Sequence, residues 1–91
     1  MQDTAPTYSV YLVKCADASL YCGIAMDVSA RVTQHNASKR GARYTKSRRP
    51  VALVYAEPCG SRSDALKREI AIKKLSRIAK QQLIKSMATA A

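Results

Sequence analysis

Two phenols, a guanidinium, an imidazole and a carboxylate are the groups in this chain that could do chemistry together: Tyr11, Tyr21, Arg31, His35 and Glu69. Tyr11 and Tyr21 are ten residues apart on two short apolar runs, Ser9-Val10-Tyr11 and Tyr21-Cys22-Gly23, and Arg31 follows ten residues later. Two tyrosines on adjacent strands are ordinarily a cross-strand pair, so neither is informative alone. The spacing of Tyr11, Tyr21, Arg31 and Glu69 together is what points to a site. Phenol and imidazole can hold or move a proton, a guanidinium can neutralise an anion, and a carboxylate can hold a hard cation. Those parts suit a site that handles a phosphate.

Arg31 and His35 are i and i+4 on the helix expected after Asp27, so they stack on one edge, where a cation and a titratable imidazole reach the same anion. The plainer reading is a solvated arginine beside a surface histidine. Glu69 lies between Arg62 and Lys85, a stretch with eight cations and two acids. The other acid, Asp64, belongs in the first turn of a helix, near the positive end of its dipole. Glu69 has no such explanation. It either pairs with Lys73 at i+4, worth about 0.3 to 0.5 kcal/mol on an exposed face, or faces the sheet and holds one divalent cation beside a bound phosphate. Mg²⁺ keeps most of its waters and often needs only one or two carboxylates, so a single Glu suffices, whereas a two-metal centre needs several.

The chain that must position these groups has 91 residues, enough for one small domain over residues 1–91 with a core from about 8 to 85, and not for a separate cofactor fold. Sixteen Lys and Arg against six Asp and Glu give a net charge of +10, which suits a polyanion such as nucleic acid better than a small-molecule cofactor. Cys15, Cys22 and Cys59 are odd in number, have no Cys-x-x-Cys spacing and have only one His to join them, so neither a disulfide framework nor a zinc site is expected. They read as small buried hydrophobes in a reduced, cytoplasmic interior. No apolar stretch approaches the roughly 18 residues that cross a bilayer, and Met1 to Thr7 and the Ala-rich tail after Met87 read as frayed ends.

Tyr8 to Cys15 and Leu20 to Ala25 alternate β-favouring types around the turn residues Ala16-Asp17-Ala18-Ser19, which makes a hairpin. If Val10, Leu12, Leu20 and Cys22 face the core, Tyr11 and Tyr21 share the opposite face. Asp27 caps a helix from Val28 to Ala37. Lys39, Arg40, Arg43, Lys46, Arg48 and Arg49, with Tyr44 among them, form a loop that grips phosphate, in which Tyr44 either stacks on an exposed base or anchors the loop. Val51 to Ala56 reads as a strand at the centre of the sheet, followed by a Pro58-Cys59-Gly60 turn. Ser61 or Ser63 then caps a helix buried through Ala65, Leu66, Ile70 and Ile72 to Leu75, and Ser76 starts a last one. The order β-β-α-β-α-α gives a small α+β fold with a three-stranded antiparallel sheet flanked by helices.

These residues resemble the GIY-YIG nuclease superfamily, in which two hairpin tripeptides each carry a tyrosine, a helix carries an arginine and a later helix a glutamate. The resemblance runs from about Tyr8 to Ile84. The first tripeptide keeps only the tyrosine, and the second departs only at Cys22. The chain is more specifically similar to the small stand-alone bacterial subgroup through Tyr21-Cys22-Gly23-Ile24, Gln34-His35-Asn36, Ala42-Arg43-Tyr44-Thr45 and Arg48-Arg49-Pro50. Some relatives have a lysine where Ile24 stands and an asparagine in the last helix, near Gln81 or Gln82. The resemblance implies an endonuclease that hydrolyses DNA with Mg²⁺ or Mn²⁺ and forms no covalent intermediate. Glu69 would bind the cation, Arg31 would neutralise the phosphate, Tyr11 and Tyr21 would position or deprotonate the water, and His35 would assist one tyrosine. A tyrosine has an ordinary pKa of about 10, so the cation, Arg31 and the basic field are expected to lower it.

With no second domain to read a major groove, flexible single-stranded or branched DNA is the expected substrate rather than a long duplex site. A monomer nicking one strand and a homodimer cutting two are equally compatible with these residues. The alternative is a basic module that binds DNA or RNA without turnover. A structural protein of an assembly would account for charge and size but not for Tyr11, Tyr21, Arg31 and Glu69 together.

Overall fold

Val10, Tyr11, Leu12 and Val13 are all buried. In a strand, consecutive side chains point to opposite faces, so four buried in a row require both faces to be covered. The computed structural model, which describes residues 7–37 and 42–90, with side-chain surroundings as far as Met87, places this segment accordingly. The elements are β1 (Tyr8–Lys14), β2 (Leu20–Ala25), α1 (Val28–Ala37), α2 (Arg43–Lys46), β3 (Ala52–Gly60), α3 (Arg62–Lys73) and α4 (Arg77–Ala90). The sheet is antiparallel with order β2-β1-β3.

The centre of the sheet is therefore β1, not the Val51 to Ala56 run that its apolar composition suggests. The strand β3 is an edge, and it continues through the expected Pro58-Cys59-Gly60 turn. An edge tolerates Pro58, which has no N–H to give to a ladder. The loop expected between α1 and β3 contains the one-turn helix α2. The rest of the expected order β-β-α-β-α-α is observed.

Each face of the sheet has its own core. Val10, Leu12, Cys22, Tyr55 and Ile72 form one, with Leu83 and Ile84 of α4 against it. Tyr11, Val13, Cys15 and Val51 form the other, packed by Tyr21, Val28, Val32 and Ala56. Tyr11 and Tyr21 thus share the face under α1. Cys15 and Cys22 are buried, whereas Cys59 is only partly so. Ile70 is 54 % exposed, so it is not part of the stripe of α3, whose buried residues are Ala65 and Ile72.

Side chains fix the helix ends. Asp27 Oδ1 accepts from Ala30 N at 3.0 Å, Ser61 Oγ from Asp64 N at 3.1 Å, and Ser76 Oγ from Ala79 N at 3.1 Å. Ser61, not Ser63, caps α3. At the other end of α1, Asn36 donates to Val51 O at 2.9 Å and accepts from Val51 N at 2.7 Å. This two-way bond ties α1 to the residue preceding β3. Arg68 donates to both carboxylate oxygens of Glu57 and fastens α3 to β3.

Candidate active site

Tyr11 of β1 and Gly23 of β2 are register partners. Because Gly23 has no side chain, the Tyr11 ring can lie across β2, where its Oη is hydrogen-bonded to His35 Nε2 at 2.7 Å. The other ring nitrogen, Nδ1, is 2.8 Å from Thr45 Oγ1. Tyr11, His35 and Thr45 are at most 1 % exposed. His35 is therefore neither a surface group nor placed to share an anion with Arg31, because both its nitrogens are taken inside the protein. Tyr21 packs edge-on against the same imidazole, with ring centroids 5.3 Å apart. The histidine is the hub on which the two tyrosines meet.

Arg31, one turn before His35 on α1, donates to Gln34 Oε1 at 2.8 Å. Its hydrogen bond and charge pull the Tyr11 phenol down, but burial and the neighbouring Tyr21 outweigh them and the phenol is pushed up to about 12. The expected lowering is thus reversed in the protein alone, because a buried phenolate loses more hydration than one guanidinium restores. Burial, then the charges of Arg31 and Arg49, hold His35 below its ordinary value, so its ring is neutral at pH 7.

Glu69 stands on α3, across the sheet from α1. Its side chain is 16 % exposed and its carboxylate is 3.4 Å from Lys73 Nζ, so the i,i+4 pair is formed. The same carboxylate also senses the sheet: after burial, it is the strongest influence holding the Cys22 thiol up at about 11. Cys22 follows Tyr21 in β2, an edge strand. Tyr21 and Glu69 thus approach that edge from opposite faces. Among the described residues, no three His, Cys, Asp or Glu side chains gather as a metal cluster. A single carboxylate such as Glu69 fits a hard cation that takes its other ligands from water and substrate oxygens.

The basic segment divides. Lys39 and Arg40 lie outside the described residues. Arg43 and Lys46 are exposed on α2. Arg48 Nε donates to Asp17 Oδ2 at 3.0 Å in the hairpin turn, and its guanidinium carbon lies 3.9 Å over the Tyr44 ring. Arg49 donates to the carbonyls of His35 and Gln34 and closes the C-terminus of α1. Arg48 and Arg49 thus each have partners within the fold, Arg48 in an exposed ion pair and Arg49 on the carbonyls of α1. Tyr44 stacks on Tyr21 with centroids 5.8 Å apart. With Arg48 over it as well, the ring serves as an anchor of the loop in this structure.

Thr45, Gly23, Asp17 and Asn36 take part in positioning the site, yet their residue types gave no sign of it. Thr45, Gly23 and Asn36 stood within the short motifs Ala42-Arg43-Tyr44-Thr45, Tyr21-Cys22-Gly23 and Gln34-His35-Asn36. That was the available signal.

Comparison with known proteins agrees with this geometry. The family model described as the GIY-YIG catalytic domain matches residues 7–82. The UPF0213 protein DP2720 of Desulfotalea psychrophila is 56 % identical over 81 residues, covering 89 % of this chain and 74 % of its own. A UPF0213 protein of Staphylococcus aureus is 56 % identical over 79 residues, covering 87 % and 95 % respectively. Among solved structures, the solution structure of UPF0213 protein BH0048 from Bacillus halodurans is 39 % identical with a TM-score of 0.56, covering 87 % of this chain and 83 % of that one. The solution structure of EF2693 from E. faecalis is 36 % identical with a TM-score of 0.63, covering 98 % and 93 %. Since the match spans both tyrosine strands and the helices that carry Arg31, His35 and Glu69, the chain belongs to the GIY-YIG family of nuclease-type catalytic domains.

Proposed function

We propose that this protein is an endonuclease that hydrolyses phosphodiester bonds in DNA, preferring flexible single-stranded or branched forms, with Mg²⁺ or Mn²⁺ as the cation. The observation that carries this reading is the buried Tyr11–His35 hydrogen bond beside Tyr21 and Arg31. A core needs no such arrangement, since a buried polar cluster costs free energy wherever its partners are imperfect. Arg31 neutralises charge that builds on the phosphate, and Tyr11 and Tyr21 orient the attacking water or take its proton. His35 steadies Tyr11. Glu69 would hold the cation, which supplies positive charge at the phosphate.

A Tyr11 phenol near 12 is a weak acid at neutral pH, so substrate and cation charge must act on it during the reaction. Tyr21 is the more accessible phenol. The net charge of +10 supports a polyanionic substrate.

The test is incubation of the purified protein with end-labelled single-stranded, duplex and branched DNA, with Mg²⁺, Mn²⁺ or chelator, beside Glu69→Ala. Metal-dependent cleavage by the wild type that is lost in the variant is expected. Salt-sensitive binding without cleavage of any form would replace the enzyme with a nucleic-acid-binding module for DNA or RNA.

A further inference from the structure

The hydrogen bonds around His35 do more than hold the ring. Nδ1 has two neighbours: Thr45 Oγ1 at 2.8 Å and the backbone N–H of Ala42, with the nitrogens 3.3 Å apart. A hydroxyl can give or receive, but an amide N–H can only give. A neutral imidazole carries one proton, and a nitrogen that receives a hydrogen bond does not carry it. Nδ1 is therefore the bare nitrogen and Nε2 holds the proton.

Thr45 can support the same assignment. Its hydroxyl is also 2.9 Å from the Ala42 carbonyl, but that oxygen already receives the N–H groups of Thr45 and Lys46. Turning the hydroxyl proton toward Nδ1 satisfies the imidazole and leaves the carbonyl with two donors. The opposite choice sets an N–H on Nδ1 against the Ala42 N–H and leaves that part-buried amide without this acceptor. Lowering of the His35 pKa by burial keeps the ring at one proton in neutral solution.

We infer that Thr45, with the Ala42 amide, is a positioning residue that locks His35 as the Nε2–H tautomer and so makes it a hydrogen-bond donor to the Tyr11 oxygen. In this state His35 does not accept the Tyr11 proton. It places a positive hydrogen on Tyr11 Oη, where the Arg31 guanidinium also bonds, and steadies negative charge that develops there. The value of this for catalysis rests on the nuclease reading above, whereas the tautomer itself does not.

The experiment is long-range ¹H–¹⁵N correlation of the His35 ring in the full ¹⁵N-labelled chain, which separates protonated from bare ring nitrogens. Protonated Nε2 and bare Nδ1 at neutral pH are expected. The reverse pattern, or equal mixing, overturns the inference whether or not the protein cuts DNA. Thr45→Val keeps the shape and removes the hydroxyl. It should mix the tautomers and lower kcat up to about tenfold at unchanged KM, the equivalent of one hydrogen bond, and Thr45→Ser should restore both. A Val variant with the wild-type ring spectrum and kcat removes Thr45 from the role. If Val fails to fold, the wild-type spectrum and the Ser variant still decide. The inferred tautomer in a protein that cuts nothing would count against the nuclease reading, not against the assignment.

Discussion

Tyr11 lies so close over Gly23 that a Cβ on the glycine would be 2.6 Å from the tyrosine Oη and 2.8 Å from Cζ. Neither ring atom can retreat readily, because Oη is bonded to His35 and the ring is buried. Gly23→Ala should therefore destabilise the fold by about 1–3 kcal/mol, the usual cost of overpacking. For a chain of this size that is roughly 4–8 °C of Tm per kcal/mol. Thermal melts check it, and the same substitution in a Tyr11→Phe background, where Oη is gone, should cost less. Equal losses in the two backgrounds would show that Oη is not the obstacle.

Stability should fall in mild acid because of His35. Burial first, then the Arg31 and Arg49 charges, place its folded-state pKa below the ordinary 6.5. The unfolded chain then takes up the proton first, so stability is full above the ordinary histidine value and declines as pH drops toward the folded one. Tm measured in steps from pH 8 downward should be level to about 6.5 and then fall, before most carboxylates titrate near 4. His35→Gln, which cannot titrate, should start lower and stay flat across that window. A parallel fall in the variant would assign the acid sensitivity elsewhere.

Tyr44 stands where it can support Tyr21. Its ring stacks on Tyr21 and lies under the Arg48 guanidinium, which in turn reaches Asp17. Removing one aromatic pair and one exposed cation–π interaction should cost about 1–2 kcal/mol. Tyr44→Ala should lower Tm and cleavage together, while Tyr44→Phe, which keeps the ring, should leave both near wild type. Loss of single-strand binding with an unchanged Tm would return Tyr44 to a base-stacking role.

Local signals in the sequence located the hairpin, the helix caps at Asp27 and Ser76, the α3 cap to within Ser61 or Ser63, and the shared face of Tyr11 and Tyr21. These depend on alternation and on side-chain bonds a few residues long. The sheet order was not accessible in the same way. An apolar run such as Val51 to Ala56 reads as central, yet centrality depends on which strand is covered on both sides, and the four buried residues Val10 to Val13 hold that place. His35 shows the same limit. Helical spacing put it beside Arg31 correctly, but its burial involves Tyr11 and Tyr21 of the sheet together with Thr45 of the one-turn helix α2 and the preceding Ala42. The partners of Arg48 and Arg49, Asp17 and two helix carbonyls, were not legible because they are distant in sequence, whereas charge is visible in it.

That division of the cations makes a prediction that composition alone would not. Arg43 and Lys46 are exposed on α2, so each should contribute to nucleic-acid affinity through counterion release. Replacing either with Ala should weaken single-strand binding and flatten the log–log salt dependence by about 0.7 for each phosphate no longer neutralised, with Tm nearly unchanged. Arg49→Ala should do the opposite. Its guanidinium closes α1 at the residue that holds Tyr11, so its loss should lower Tm and cleavage while the salt slope stays near wild type. Binding titrations of a labelled single strand at several salt concentrations, beside thermal melts, separate the two classes. A salt slope reduced by Arg49→Ala as much as by Arg43→Ala would mean that the guanidinium leaves the helix for the phosphate when the strand binds.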